Sequence, residues 1–386
     1  MSVAGTLRTT GAVRERSGQL LRRARADDSA WFTVHDDALE PAAGVVAEVT
    51  RSRYPDLRIP FHSRWRHFEA GGMTRTSRLE GDPRAMIDLA VVSVLLDAGA
   101  GADWTFAETA TGRRFSRSEG LAVASWQAFA DGVFSSDSVV PLRVDAAGLR
   151  ALSVDRLAAA FQVSDRNPLV GLDGRVQLLH RLADAVSTEV FGGRPGGLFD
   201  ALTASGPAVH AHDILRLLLE TLSPIWLSAN PLGDEPLGDC WRHAAVGGEG
   251  GTAGWVPFHK LSQWLTYSLL EPFEWAGVPV VGVDALTGLP EYRNGGLFLD
   301  TGVLRLRDDQ FASRAWQVGD ELVVEWRALT VALLDELAPL VCARLGTDMP
   351  LACVLEGGTW AAGRLLAQQR RGGLPPLTVD SDGTVF

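Results

Sequence analysis

The chain has 386 residues, 46% hydrophobic and 22% charged, the balance of a folded globular protein rather than a disordered one. Its net charge of −11 argues against a nucleic-acid surface, which needs a basic face, yet leaves room for a small anion held by a few local cations. Three scattered cysteines, Cys240, Cys342 and Cys353, form no C-x-x-C pair and argue against both a disulfide framework and a structural zinc site.

The first 28 residues hold no apolar stretch that could act as a secretory signal, and Glu15, Asp27 and Asp28 interrupt their arginines. A cytoplasmic location is expected. Apolar spacing predicts helices over 9–25 and 37–53. The longest apolar run, 85–102, contains Asp88 and Asp97 and falls short of the roughly 20 apolar residues of a bilayer span, so it reads as a buried core helix with no membrane role. Residues 116–132 open on Ser116 or Ser118 as N-cap and close on Gly132. Further helical patterns cover 154–162, 176–191, 211–222, 257–273, 324–345 and 359–371, with Pro272 expected to stop or kink the helix that begins near Pro257. Strand-like stretches are few: 278–283, 297–306 and 377–386. The expected fold is mainly α with a small β element. No linker or internal repeat interrupts residues 1–386, which read as a single helical domain with room for two lobes, about 1–165 and 166–386.

No Walker A, G-x-G-x-x-G, G-x-S-x-G or H-E-x-x-H motif occurs, and the glycine clusters at 192–197 and 247–254 read as turns. Four stretches carry chemistry. Lys260 is the only lysine of the chain, and at about 100° per residue Lys260, Gln263 and Tyr267 form a narrow polar stripe on an otherwise apolar helix. A buried polar stripe needs partners, and a ligand can supply them. Downstream, "TGLPEYRNGG" sets Glu291 beside Pro290 and before Tyr292 and Arg293; it reads either as a turn with a surface Glu291–Arg293 ion pair or as a rigidly held catalytic carboxylate.

In "IPFHSRWRHFEAGG", His62, Arg64, Arg66 and His67 interleave with Phe61, Trp65 and Phe68, a pattern suited to an anion joined to a flat ring. Core packing of the aromatics is the plainer alternative, and no third or fourth ligand at metal spacing accompanies the histidines. Last, "LGDCWRH" and "LEGGTWAAGR" each place a carboxylate and an arginine around a tryptophan: Asp239 with Arg242, then Glu356 with Arg364. His243 is the one base near Cys240 in sequence.

These phrases, together with "SRSEGLAVAS", "FQVSDRNPLVGLDGR", "RPGGLFD" and the terminal "SDGTVF", closely resemble the uracil-catabolism protein 4 family from about residue 12 to the end. That resemblance implies a pathway through ribosylurea-type intermediates and functional coupling to a cyclohydrolase-like ring-opening enzyme. More distantly, "FHKLSQ", "PEYR", "TGVL" and "VEWRALTVALLDE" are similar to segments of the queuosine-phosphate N-glycosidases. This second likeness implies a compact helical fold akin to the helix-hairpin-helix DNA glycosylases. It also implies ligand contacts from Lys260 and Gln263, with Lys260 on or near a phosphate, and a catalytic Glu291 followed by Tyr292 and Arg293. Glutamate stands here where that family has aspartate.

The expected activity is hydrolysis of the N-ribosyl bond of a small phosphorylated riboside, with ribosylurea phosphate giving urea and ribose phosphate, without cofactor or metal. Glu291 would stabilise the sugar cation or activate water; Tyr267 or a histidine of "HSRWRH" would protonate the leaving urea. Asp239, Arg242 and His243 complete the expected binding set with His62, Arg64, Trp65, Arg66 and His67. Two alternatives stay open: a metal-dependent amidohydrolase acting on an open-ring ureido compound, and a non-catalytic partner of the ring-opening enzyme.

Overall fold

A computed structural model describes residues 2–97, 99–204, 206–226 and 230–380. Helices account for most of its regular structure, and among the described residues strands occur only as two-stranded pairs. The mainly α expectation is met. Helix Thr10–Arg25 starts where the Thr9 hydroxyl accepts the Ala12 amide at 3.1 Å. With helix Leu39–Arg53 it packs against the longest element, Glu321–Leu345, which is buried without a break from Leu322 to Val331.

The apolar run read as a core helix over 85–102 is one as far as Leu95. Asp82 caps the Ala85 amide at 3.0 Å, Pro83 takes the first turn, and every residue from Ala85 to Leu95 is buried. Each fully buried Val, Leu or Ile there contributes roughly 1.5–3 kcal/mol over exposure. This helix packs against both Arg117–Ala130 and Lys260–Trp275. A single apolar cluster links these elements, from Leu21 to Leu377.

Helix Lys260–Trp275 differs from its sequence reading at both ends. Pro257 lies in a strand, Trp255–Pro257, paired antiparallel with Cys240–Arg242. The chain then turns abruptly: His259 sits at φ 50°, a left-handed conformation that costs a non-glycine residue energy. Its ring is anchored through Nε2 to the Leu7 carbonyl at 2.9 Å.

At the other end Pro272 lies inside the helix, which runs on to Trp275. Proline cannot donate to the carbonyl four residues back, so the Ser268 carbonyl is left over and accepts the Trp65 indole N–H at 2.8 Å instead. The Ser268 hydroxyl accepts the Arg64 amide at 2.9 Å, and Glu271 accepts from Ser63 and from Arg66. The proline thus docks a neighbouring segment rather than ending the helix.

The stretch 297–306 is also divided differently. Helix Tyr292–Thr301 ends on Gly302 at φ 80°, and only Leu304–Leu306 is strand, paired with Phe32–Val34. Val280–Val281 and Thr378–Asp380 form short parallel pairs with Val209–His210 and Ala315–Gln317, while residues 381–386 lie outside the described part.

Candidate active site

A cavity of about 430 Å³ lies where three helix starts meet. Arg117 and Ser118 line it from one helix, Lys260, Leu261 and Trp264 from the second, and Glu291 and Tyr292 from the third. His62, His67, Asp97, the loop 99–102, Leu289 and Trp360 complete the wall. The volume suits a small ligand. Arg117, like His259, holds a left-handed backbone, at φ 53°. Strained residues thus sit at the starts of two of the three helices.

Glu291 is the N-cap of its helix: its two oxygens accept the Arg293 and Asn294 amides at 2.9 and 2.7 Å. This is neither a surface turn nor an ion pair with Arg293. Burial raises the Glu291 carboxyl above the ordinary range, against the pull of the two amides and of Lys260 and His62. Burial lowers the Lys260 ammonium, as does nearby Arg327, while Glu291, Asp239 and Asp97 oppose that shift. The two groups are therefore electrostatic neighbours across one cavity.

One arginine steadies both. Arg327 makes a bidentate pair with Asp239 at 2.7 and 2.8 Å and donates to the Pro290 carbonyl, next to Glu291, at 3.3 Å. Asp239 in turn accepts the Lys260 amide at 2.9 Å. Opposing charges and hydrogen bonds from Arg327 and Lys260 outweigh burial and keep the Asp239 carboxyl below its ordinary range.

Several predicted residues serve this frame and do not line the cavity. Gln263 and Tyr267 find their partner in Thr287: Gln263 Oε1 accepts its amide at 3.0 Å, and the Tyr267 hydroxyl donates to its carbonyl at 2.9 Å. With its proton on a carbonyl and its side chain sealed in the core, Tyr267 is not placed to protonate a ligand in this cavity. Arg64 is fully buried against Asp97 at 3.1 Å, Trp65 and Arg66 dock as described, and Arg293 stacks on Tyr292 and donates to the Gly373 carbonyl.

Arg242 lies over the Trp255 ring at 3.7 Å, and His243 pairs with Glu325 at 3.1 Å. Asp239 therefore pairs with Arg327 rather than Arg242. Glu356 likewise pairs with His62, Arg53 and Tyr54, leaving Arg364 to Glu119. Burial pushes the Cys240 thiol well above its ordinary value, which removes it as a ready nucleophile.

Of the predicted residues, His62, His67, Lys260, Glu291 and Tyr292 share the cavity. Burial and the charge of Arg64 hold His67 at about 3, a neutral ring. Sequence reasoning passed over Asp97, Arg117, Trp264 and Trp360. Asp97 carried a signal, an acid closing an apolar run just before a glycine–alanine stretch. Three wall residues have buried polar atoms without a hydrogen-bond partner among the described residues, His67 Nδ1, Asp97 Oδ1 and Trp264 Nε1, unusual for a protein interior. Among the described residues no group of three or more His, Cys, Asp or Glu gathers at metal-binding distance, and no helix is long and apolar enough to cross a membrane.

The family model described as protein of unknown function (DUF1688) matches residues 6–386. The chain is 38% identical to "Protein urg3" of Schizosaccharomyces pombe, over 97% of this chain and 96% of that protein. It is 39% identical to "Uracil catabolism protein 4" of Lachancea kluyveri, over 91% and 90% respectively. The chain belongs to this family, as its sequence phrases indicated.

Proposed function

We propose that the protein acts in uracil catabolism as a hydrolase of the N-ribosyl bond of a small riboside, with ribosylurea phosphate as the substrate and urea and ribose phosphate as products. The pathway follows from the name of the Lachancea kluyveri relative, aligned over nearly its whole length. One observation carries the reaction: a carboxylate raised by burial, Glu291, and the chain's only lysine border one small cavity with aromatic walls.

Breaking a C–N glycosidic bond builds positive charge on the sugar, and a fixed carboxylate stabilises it. Glu291 is held from behind by two amides, so its remaining lone pairs are free for a water or the anomeric carbon. Burial that raises its affinity for a proton makes it a better base, a role typically contributing about 10²–10⁴-fold. Lys260 is a compact cation on a flexible stem; burial disfavours its charge, and an arriving phosphate restores it. Anchoring the phosphate away from the reacting bond lets binding energy orient the sugar.

The test is direct. Purified protein is incubated with ribosylurea and with its 5-phosphate, and released urea is measured. Urea release with ribose phosphate as co-product is the expected result; no release from either compound would overturn the reading.

A further inference from the structure

The proposed reaction needs a proton for the departing urea nitrogen, and the Tyr267 hydroxyl is committed to a carbonyl in the core. His62 stands in the cavity wall. Its Nδ1 lies 2.8 Å from Glu356 Oε2, while Glu356 Oε1 accepts from Arg53 and from the Tyr54 hydroxyl, each at 2.9 Å. Burial alone would raise the Glu356 carboxyl, but the bond and charge of His62, with Arg53 and Tyr54, hold it down at about 2.

An ionised carboxylate only accepts, so the shared proton resides on Nδ1 and the ring presents Nε2 to the cavity. Nε2 has no hydrogen-bond partner among the described residues and is not among the buried polar atoms that lack one. Backbone contacts also fix this pair. The His62 amide donates to the Ala352 carbonyl at 3.0 Å, and Glu356 lies in a single π-turn, Leu355–Thr359. Such turns recur at functional sites. Gly358 lets it press on helix Leu39–Arg53: a Cβ there would fall 2.4 Å from Thr50 Oγ1 and 2.5 Å from the Val46 carbonyl.

We infer that His62 is the general acid of this cavity, oriented by Glu356 as its positioning residue. The assignment rests on the N-ribosyl hydrolase reading. Protonated His62 gives its Nε2 proton to the urea nitrogen as the bond from that nitrogen to the sugar breaks and its electron pair returns to nitrogen. Water adds its oxygen to the sugar carbon and yields a proton to Glu291. Exchange with solvent then restores both groups, so the net reaction consumes one water.

Two measurements on the full chain test this. Histidine ¹⁵N NMR should report His62 as the Nδ1–H tautomer in its neutral form, and an Nε2–H tautomer would overturn the pairing. Kinetically, His62→Ala should lower urea release by about 10²–10⁴-fold. The same variant should cleave 4-nitrophenyl riboside, whose phenolate leaves without a proton, within about threefold of the unsubstituted protein. Glu356→Gln should give the same selective loss in milder form. Equal losses on both compounds would make His62 a structural residue and overturn the assignment while leaving the hydrolase reading intact. Unsubstituted protein inert towards both compounds would overturn that reading, and the proton-donor role with it.

Discussion

Among the described residues two buried histidine–glutamate pairs have opposite designs. His243 donates from Nε2 to Glu325 at 3.1 Å, and its Nδ1 accepts the Ala245 amide at 3.2 Å; Glu325 also takes the Ser29 hydroxyl. Both ring nitrogens are spent, and neither residue lines the cavity. His62 uses the other nitrogen, Nδ1, and keeps Nε2 uncommitted at the cavity wall. The residue types are the same. What separates a structural tie from a chemical group is which nitrogen is engaged and whether the second faces open space.

Four experiments sharpen or break this contrast. The largest effect is expected on the cavity side, where Glu291→Gln should lower urea release by about 10²–10⁴-fold. The thermal midpoint should fall only slightly, because the amide oxygen can still accept one of the two backbone amides; a coincident collapse of folding would return Glu291 to a purely structural role. On the sealed side, His243→Ala leaves the buried Glu325 with the Ser29 hydroxyl but without its histidine donor, and should cost about 3 kcal/mol in denaturant unfolding. Turnover per folded molecule should be unchanged, and a loss of kcat would erase the distinction between the pairs.

Acid unfolding comes next. The folded Glu356 carboxyl sits at about 2 against an ordinary 4.5. Its stabilising contribution is therefore complete above about pH 4.5 and disappears as pH falls towards 2. Glu356→Gln should remove on the order of 3 kcal/mol of acid-range pH dependence, and an unaltered profile would contradict the ionised pair. The smallest effect concerns anchoring. Lys260→Arg should raise the KM for the phosphorylated riboside about tenfold, about 1.4 kcal/mol, and change that for the free riboside far less. Equal changes would remove the phosphate assignment.

Elements whose signals are local were legible in the sequence. The bounds of helices 10–25, 39–53 and 211–222 fall within two residues of their readings, and the run 85–102 holds a buried helix that stops at Leu95. Prolines misled because their consequences are tertiary. Pro257 entered a strand that needs the distant segment Cys240–Arg242, and Pro272 stayed in a helix because Trp65 takes the carbonyl it leaves unserved.

The site was legible by residue type and not by partner. Asp239 and Glu356 each stand near an arginine in the chain, yet they bond to Arg327 and His62, 88 and 294 residues away. Gln263 and Tyr267 stood out as a polar stripe, but that stripe is satisfied by Thr287, a residue with no pattern of its own. Pairing across such separations is decided by packing, which no local window contains.

Pro272 has one more consequence. An ordinary helix offers an approaching indole nothing to recognise, since each internal oxygen is already claimed. Here a single missing hydrogen marks one rung among sixteen residues, and the tryptophan finds its berth by that omission. The wall bearing His62 inherits its register from an imino acid on another element, so Trp65 and Pro272 should be exchanged together, or not at all, wherever this architecture has diverged.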